Sequence, residues 1–344
     1  MQVSDVFDRL PKVELHCHLE GTIAPTTVAE LAEKRGRELP VENVEELYTY
    51  DSLNGFLEIF WFVQELLADP DDWERAAYES VVHAAPHGLR YRETFFTPAR
   101  HLAAGQDLAG IVEGISRGLE AAEDETGVRC MAICDIDRAY GGAAGRELAE
   151  RLVELRKVGR ADRVIGMGMD STELGVDPRD HAEAFEVARS GGLRCTTHAG
   201  EDTGPDNIAA ALEALHVERI DHGLSILQDT GLAARVAAER IPLTVCPNSN
   251  VLIANKVPTL ADHPFRQMRE AGLLATLNTD DPAMTDLDLG KEYRSVAKAL
   301  ELSLDDMAAV ALDGIEATWL DDDEKRTMRG AFQAEIDELR AVGS

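Results

Sequence analysis

Residues 129–170, RCMAICDIDRAYGGAAGRELAERLVELRKVGRADRVIGMGMD, contain the pattern from which the fold of this 344-residue chain can be predicted. An apolar run at 129–136 is followed by a helical pattern at 145–159 and by a second apolar run at 163–170. Two apolar strands joined by a helix are typical of a β-α-β unit, because parallel strands need a long crossover connection. The stretch therefore predicts a parallel sheet covered by helices.

The same alternation continues in both directions along the chain. Six further apolar or alternating runs are candidate strands, at 12–18, 89–96, 193–200, 218–223, 242–247 and 273–280. Strands that alternate with helical segments indicate an α/β protein with a parallel sheet. Eight such repeats favour a closed (β/α)8 barrel, a TIM barrel, over an open sheet.

Two regions depart from this simple alternation. The interval between the first two candidate strands is too long for one crossover and predicts a helical insertion at about 26–88. Within it, the aromatic-rich segment 52–67 is either a core-facing helix or a lid beside the pocket. After strand eight, extra C-terminal helices are predicted, the first opened by a capping box of Ser303 and Asp306. We predict one domain over residues 1–344.

The composition narrows the range of partners. The chain has 64 acidic and 34 basic residues, a formal net charge of −30, and such a surface repels nucleic acid and anionic membranes. No apolar run reaches the length of about 18 residues that a membrane span needs. The amino terminus lacks the basic and apolar regions of a secretory signal, so a cytoplasmic location is predicted. The sequence does not indicate an oligomeric state.

The cysteines do not suggest a disulfide framework or a thiolate metal site. There are five of them, an odd number, and no C-x-x-C pair occurs. Several lie in apolar runs, where a cysteine acts as a small buried hydrophobic residue.

The segment PKVELHCHLEGT, residues 11–22, contains a first hint of chemistry. In a strand, His16 and His18 project from one face and Cys17 from the other. Two adjacent imidazoles make good metal ligands, although a pair of solvated histidines at a strand end is the simpler alternative.

Polar residues also follow three other candidate strands, and their number favours a functional site. They are His198, Glu201 and Asp202 after strand five, Asp221 and His222 at strand six, and Asp280 and Asp281 after strand eight. Barrel enzymes have their active sites at the carboxyl ends of the strands. Histidine and aspartate donors without a cysteine cluster suit Zn²⁺, and would also accept Fe²⁺, Mn²⁺ or Co²⁺.

Five motifs together reveal a family resemblance. PKVELHCHLEGT, TTHAGE, RIDHG, VCPNSN and LNTDDP occur in this order over residues 11–282 and resemble the adenosine/adenine deaminase family of the amidohydrolase superfamily. The combination of HAGE, DHG and NTDDP is specific, whereas H-x-H alone is not. The resemblance implies one Zn²⁺ per chain, held by His16, His18, His198 and Asp280.

The resemblance also implies a reaction, the attack of an activated water on C6 of a 6-aminopurine with loss of ammonia. Glu201 would protonate ring N1, His222 would orient and deprotonate the water, and Asp281 would hydrogen-bond N7. The expected substrate-binding residues are Glu20, Asp170, Glu173, Gly200 and Asp281.

The expected substrate is adenosine, converted to inosine and ammonia in purine salvage, because the aromatic segment resembles the gate beside the ribose pocket of adenosine deaminases. MDSTELG, residues 169–175, argues for the other branch of the family. Glu173 stands where those enzymes have a glycine that contacts purine N3, and D-S-[ST]-E resembles the enzymes that act on free adenine. Conversion of adenine to hypoxanthine is therefore the alternative, followed by deamination of a modified adenine nucleoside.

Other functional classes fit the sequence less well. His18 and Glu20 match the H-x-E of cytidine-type zinc deaminases, but no P-C-x-x-C follows. A different metal-dependent hydrolase on the same barrel, or a metal-binding protein without turnover, would be expected to lack one of the catalytic groups. Glu201 and Asp281 are both present, which favours the deaminase.

Overall fold

The strands of the protein form a parallel barrel. The computed structural model describes residues 3–50, 53–253 and 256–343. Within these ranges eight parallel strands pair with one another in sequence order. The strands are β1 (Lys12–Glu14), β2 (Leu89–Phe96), β3 (Arg129–Asp137), β4 (Val164–Asp170), β5 (Arg194–Ala199), β6 (Arg219–His222), β7 (Pro242–Val245) and β8 (Leu274–Leu277). The predicted (β/α)8 architecture is confirmed.

Helices connect the strands and cover the barrel. In the described part of the chain they are α1 (Val3–Arg9), α2 (Pro25–Lys34), α3 (Leu53–Leu66), α4 (Pro70–Ala84), α5 (Ala99–Ala103), α6 (Leu108–Thr126), α7 (Gly141–Lys157), α8 (Ala182–Ser190), α9 (Pro205–Ala210), α10 (Thr230–Ala238), α11 (Pro247–Leu252), α12 (Phe265–Glu270), α13 (Leu289–Ala299), α14 (Leu304–Ala317) and α15 (Asp322–Gly343). As predicted, Ser303 and Asp306 form a capping box at the start of α14.

Strand β1 is shorter than predicted, and its continuation closes the barrel. The strand ends at Glu14, but Cys17 forms a parallel bridge to Asp280 and His18 forms one to Phe95. The backbone N–H of His18 donates to the carbonyl of Asp280 at 2.8 Å, and the Asp280 N–H donates to the carbonyl of His16 at 3.1 Å. Backbone hydrogen bonds thus hold the segment after β1 against the segment after β8.

The predicted insertion corresponds to helices α2, α3 and α4, which lie between β1 and β2. Helix α3 packs near residues 20–22, at the mouth of the barrel. Its Phe56 and Val63 are buried, whereas Trp61 is 40% exposed and carries the guanidinium of Arg100 over its ring at 4.7 Å. One face of α3 therefore packs against the core, as one of the two predictions states. A role of this helix as a mobile lid stays a prediction.

A buried cluster fills the amino-terminal end of the barrel. Arg219 of β6 forms an ion pair of 2.6 Å with Glu93 of β2, and both side chains are fully buried. The indole of Trp319 lies under the Arg219 guanidinium at 4.1 Å, and the Trp319 backbone N–H donates to Glu93 at 2.8 Å. Trp319 follows α14, so the C-terminal segment closes this end of the barrel.

Two simpler predictions concern cysteines and membranes. All five cysteines are buried and unpaired, in agreement with a role in packing. Among the helices that the structure describes, none combines the length and the apolar character of a membrane-crossing segment.

Candidate metal centre and active site

The four predicted metal ligands meet at the carboxyl ends of the strands. Nε2 of His18 lies 3.2 Å from Nε2 of His198 and 3.3 Å from Oδ1 of Asp280. Nε2 of His16 lies 3.2 Å from the same Asp280 oxygen. A nitrogen of His222 also falls within 4.8 Å of ligand atoms of His16, His198 and Asp280. The structure therefore brings together imidazole and carboxylate donors from β5 and β6 and from the segments that follow β1 and β8.

The spacing of these atoms fits a metal ion. Ligand bonds of about 2.0–2.1 Å in a tetrahedral zinc site put neighbouring ligand atoms about 3.3 Å apart. The three distances of 3.2–3.3 Å agree with that edge length. Nε2 of His16 is buried and has no hydrogen-bond partner in the described part of the chain, as expected of an atom that ligates a metal. The four predicted ligands therefore fit a Zn²⁺ ion, the metal that the sequence resemblance implies.

A hydroxyl chain behind the centre orients His16. Thr244 Oγ1 donates to Asp221 Oδ1 at 2.8 Å and lies 3.1 Å from Nδ1 of His16. Because the hydroxyl proton is directed to Asp221, the oxygen accepts from Nδ1–H of His16. Nε2 is then the unprotonated nitrogen and is free to bind a metal. Thr196 Oγ1 fixes the other Asp221 oxygen at 2.7 Å.

The charges of the centre suit metal binding. Burial lowers the pKa of His18 to about 3 and that of His198 well below its ordinary value, so both imidazoles are neutral. Burial alone would raise the pKa of Asp280, but the surrounding imidazoles of His16, His222 and His18 hold it well below its usual range. Ser249 Oγ donates to the second Asp280 oxygen at 2.5 Å. The backbone of Asp280 has a φ of 67°, a left-handed conformation that directs the carboxylate inward.

Glu201 and His222 form a second pair beside the metal ligands. Oε2 of Glu201 lies 3.5 Å from Nε2 of His222. Asn250 connects them, because its Nδ2 lies 3.4 Å from Oε1 of Glu201 and 3.2 Å from Nδ1 of His222. Nε2 of His263 lies 3.3 Å from Oδ1 of Asn250. The side-chain amide of Asn250 therefore holds Glu201, the predicted acid, next to His222, the predicted base.

Burial raises the pKa of Glu201 to about 7; the positive charge of His222 opposes this increase, and the negative charges of Asp280 and Glu173 add to it. Burial by itself would lower the pKa of His222, but the negative charges of Glu201 and Asp280 raise it above its ordinary value. A carboxyl group that titrates near neutrality is suited to general acid catalysis.

Three of the predicted substrate-binding residues line the same site. Glu20 is buried, accepts from the backbone N–H of Thr97 at 2.8 Å through Oε1, and has no partner for Oε2 in the described chain. Asp281 Oδ1 is likewise buried without a partner there. Asp170 accepts from the Thr97 hydroxyl at 2.5 Å. Burial raises the pKa of Glu20 and of Asp170 to about 7.

Glu173 and Gly200, the other two predicted substrate-binding residues, meet at the loop after β5. The Glu173 carboxylate accepts five hydrogen bonds from the loop after β5: from the backbone N–H groups of Gly200, Glu201 and Asp202 and from the side chains of Thr203 and Asn207. Both oxygens accept hydrogen bonds from the protein, so Glu173 holds the loop after β5, and its contact with a substrate stays a prediction. Gly200 has a φ of 73°, and a Cβ there would lie 2.5 Å from Ile208.

A cleft of about 530 Å³ opens beside Glu201 and is within the size range of small-molecule sites. Its walls include Asp202, Ser225, Lys256 and Pro264. The cleft provides Glu201 with access to solvent, and none of the four predicted metal ligands lines it.

Several functional side chains were not predicted from the sequence. Thr244, Ser249, Asn250 and Asp135 contact or adjoin the site, but no role was assigned to any of them. The motif VCPNSN, which follows β7, was the available signal for Ser249 and Asn250. Thr244 lies inside an apolar strand, where a single threonine is not distinguishable from a packing residue.

Comparison with known proteins agrees with this geometry. Residues 11–335 match the family model described as "Adenosine deaminase". The chain is 37% identical over 340 residues to an adenine deaminase of Streptomyces coelicolor, covering 98% of this chain and 97% of that protein. It resembles the crystal structure of an adenine deaminase from Arthrobacter aurescens, with 33% identity, a TM-score of 0.88 and coverage of 95% and 98%. An amidohydrolase from Burkholderia ambifaria with bound Zn gives 31% identity, a TM-score of 0.91 and coverage of 99% and 95%.

Proposed function

The chain belongs to the adenosine deaminase family, and from this membership we propose that it hydrolyses free adenine to hypoxanthine and ammonia with Zn²⁺ as its metal. Membership makes it a metal-dependent deaminase that hydrolyses the C–N bond of a cyclic amidine. Similarity along almost the whole chain to proteins named adenine deaminase carries the choice of substrate.

Zinc would be held by His16, His18, His198 and Asp280, and it would lower the pKa of a bound water toward neutrality. The preference for Zn²⁺ among divalent ions is supported by the three-imidazole, one-carboxylate donor set. The Zn reported in the Burkholderia ambifaria amidohydrolase supports the same choice.

The side chains around the ligands supply the proton transfers. Glu201 gives a proton to ring N1, which makes C6 electrophilic enough for water to add. His222 takes a proton from the attacking water, whose oxygen forms the new bond to C6. His222 then gives that proton to the amino group, the C6–N6 bond breaks and ammonia leaves. The proton of the new hydroxyl returns to Glu201, which leaves the C6 carbonyl of hypoxanthine. Asn250 keeps Glu201 and His222 at the distance that this exchange needs.

The preference for adenosine drawn from the aromatic segment is not supported by these relatives, which instead favour the alternative of free adenine. The aromatic residues of helix α3 have a structural explanation. Its buried face packs into the core through Phe56 and Val63, so its aromatic content does not require a ribose-binding role.

A direct assay decides between these substrates. Protein stripped of metal and reloaded with Zn²⁺ is given adenine or adenosine under identical conditions, and the ultraviolet change on deamination is followed. We expect a higher kcat/KM for adenine and no turnover of either compound by the stripped protein. A higher kcat/KM for adenosine would overturn the proposal.

A further inference from the structure

Asp135, near the end of β3, is a buried carboxyl group that the chemistry above does not use. The residue is fully buried, and neither of its oxygens has a hydrogen-bond partner in the part of the chain that the structure describes. A buried polar group without a partner costs free energy, so such groups are rare unless a ligand satisfies them.

The surroundings of Asp135 direct it toward the active site. Its carboxyl oxygen and ligand atoms of His18 and Asp170 all lie within 4.8 Å of one another. On the neighbouring strand, Asp135 is paired with Gly168. A Cβ added at Gly168 would lie 2.0 Å from Oδ1 of Asp135 and 3.3 Å from the ring of Phe95. Glycine at this position therefore leaves the space that the carboxyl group occupies.

The chemistry of an unsubstituted purine matches this group. Free adenine has an acceptor, N3, next to a donor, N9–H, whereas adenosine has its ribose on N9 and no hydrogen there. We propose that Asp135 is a specificity-determining residue that binds the N3 and N9–H edge of a free purine base, an inference that rests on the proposed deamination of adenine. A substituent on N9 would remove the donor and press against the carboxyl group.

The protonation state of Asp135 suits hydrogen bonds to both N3 and N9–H. Burial, reinforced by the negative charges of Asp170 and Asp221, raises the pKa of Asp135 well above its usual value. A neutral carboxylic acid has one donor and one acceptor side by side. It can therefore donate to N3 and accept from N9–H at the same time.

Three variants test the inference on the zinc-loaded protein. Asp135→Leu removes both hydrogen-bonding oxygens, Asp135→Asn keeps a donor beside an acceptor, and Gly168→Ala displaces the carboxyl group without removing it. Asp162→Asn, an exposed acid-to-amide change at the opposite end of the barrel, is the matched control. The readouts are kcat/KM for adenine, zinc content, and the inhibition constants of purine and 9-methylpurine.

For the wild type we expect purine to bind at least about tenfold more tightly than 9-methylpurine, because the site then pairs with N9–H. Asp135→Leu and Gly168→Ala should each bring this ratio close to one and lower kcat/KM for adenine about 10- to 100-fold, with zinc content unchanged. Asp135→Asn and the control should keep the wild-type ratio. If Asp135→Leu does not fold, Gly168→Ala provides the same comparison.

Other results separate the two proposals. A wild type that deaminates adenine but binds the two purines equally, or whose ratio persists in Asp135→Leu and Gly168→Ala, overturns the role of Asp135 alone. A uniform loss on both purines makes Asp135 structural and overturns it as well. A wild type without activity on adenine overturns the proposed function and this inference together.

Discussion

Thr244 Oγ1 lies 3.1 Å from Nδ1 of His16 and donates its own proton to Asp221, which fixes the tautomer of a histidine that we propose as a metal ligand. Thr244→Val removes the hydroxyl and keeps the shape of the side chain. We expect zinc affinity to fall about 10- to 100-fold, because outer partners of metal-bound histidines contribute on that scale. Titration of the stripped protein with zinc against a competing chelator measures the change.

Thr276→Val is the matched control for this change. Thr276 is also buried in the barrel, but its hydroxyl donates to the carbonyl of Leu243 rather than contacting a ligand. Its replacement should leave zinc affinity within about twofold of the wild type. An equal loss in both variants would show that packing, and not the tautomer of His16, is responsible.

Glu201→Gln tests the acid. The amide keeps the size of the side chain but holds no transferable proton, so kcat/KM for adenine should fall about 10²- to 10⁴-fold. Zinc content should not change, because the Glu201 side chain contacts His222 and Asn250, neither of which is a proposed zinc ligand. Asp206→Asn, exposed on the same loop region, is the control, and full activity in Glu201→Gln would disprove the assignment.

His16→Ala tests the metal centre itself. Loss of one nitrogen from the cluster should lower zinc stoichiometry at micromolar metal and abolish turnover, since the remaining ligands leave the ion incompletely coordinated. Metal analysis of the purified protein is the measurement. Unchanged zinc content would mean that His16 is not a ligand.

Activity should depend on the protonation of Glu201. Its pKa is raised to about 7 in the folded protein, so the proton that N1 requires is present below that value and is lost above it. The kcat/KM for adenine is therefore expected to fall as pH rises through about 7. The profile of Glu201→Gln, recorded on its residual activity, should lack this limb.

Glu173→Gln should destabilise the protein in a pH-dependent way. Burial alone would raise the pKa of Glu173, but hydrogen bonds from Thr203 and Gly200 and the charge of Arg138 lower it. Because the pKa of Glu173 is lower in the folded state than its value of 4.5 in the unfolded chain, its ionisation stabilises the folded state at pH values above 4.5. This stabilisation is lost as the pH falls through the pKa of the folded state.

At neutral pH we expect Glu173→Gln to reduce the free energy of unfolding by about 2 kcal/mol, because buried donors lose a charged acceptor. Denaturant unfolding at several pH values is the measurement, and the difference from wild type should shrink on acidification. Glu186→Gln on the exposed face of α8 should have almost no effect. A difference that stays constant with pH would contradict the linkage.

Most of the barrel was predictable because a parallel strand is an apolar run of limited length. For β2 the predicted and observed limits coincide at residues 89–96, since every residue of the strand except the partly exposed Arg90 is buried. The segment around His16 was harder. Its residues alternate in polarity like a strand up to His18, but regular strand pairing stops at Glu14. Beyond that residue the segment is held by single bridges at Cys17 and His18.

The site was predictable where a residue's chemistry has few structural uses. His198 and Asp280 stand at strand ends where a packing residue would be apolar, so their type predicted a place in the cluster that the structure brings together. The five hydrogen bonds of Glu173 were not predictable, because a carboxylate next to a pocket has the same sequence signature whether it binds a ligand or donors of its own chain. Only the folded loop distinguishes the two.

The position of Trp319 sets an order of events during synthesis of the chain. Its indole covers Arg219, and its backbone binds Glu93, yet both partners leave the ribosome long before it does. Until residue 319 emerges, the buried ion pair between β2 and β6 stays open to water. Ribosome-bound chains of increasing length should therefore become resistant to proteolysis only after Trp319 is free to dock, and resistance in shorter chains would contradict this order.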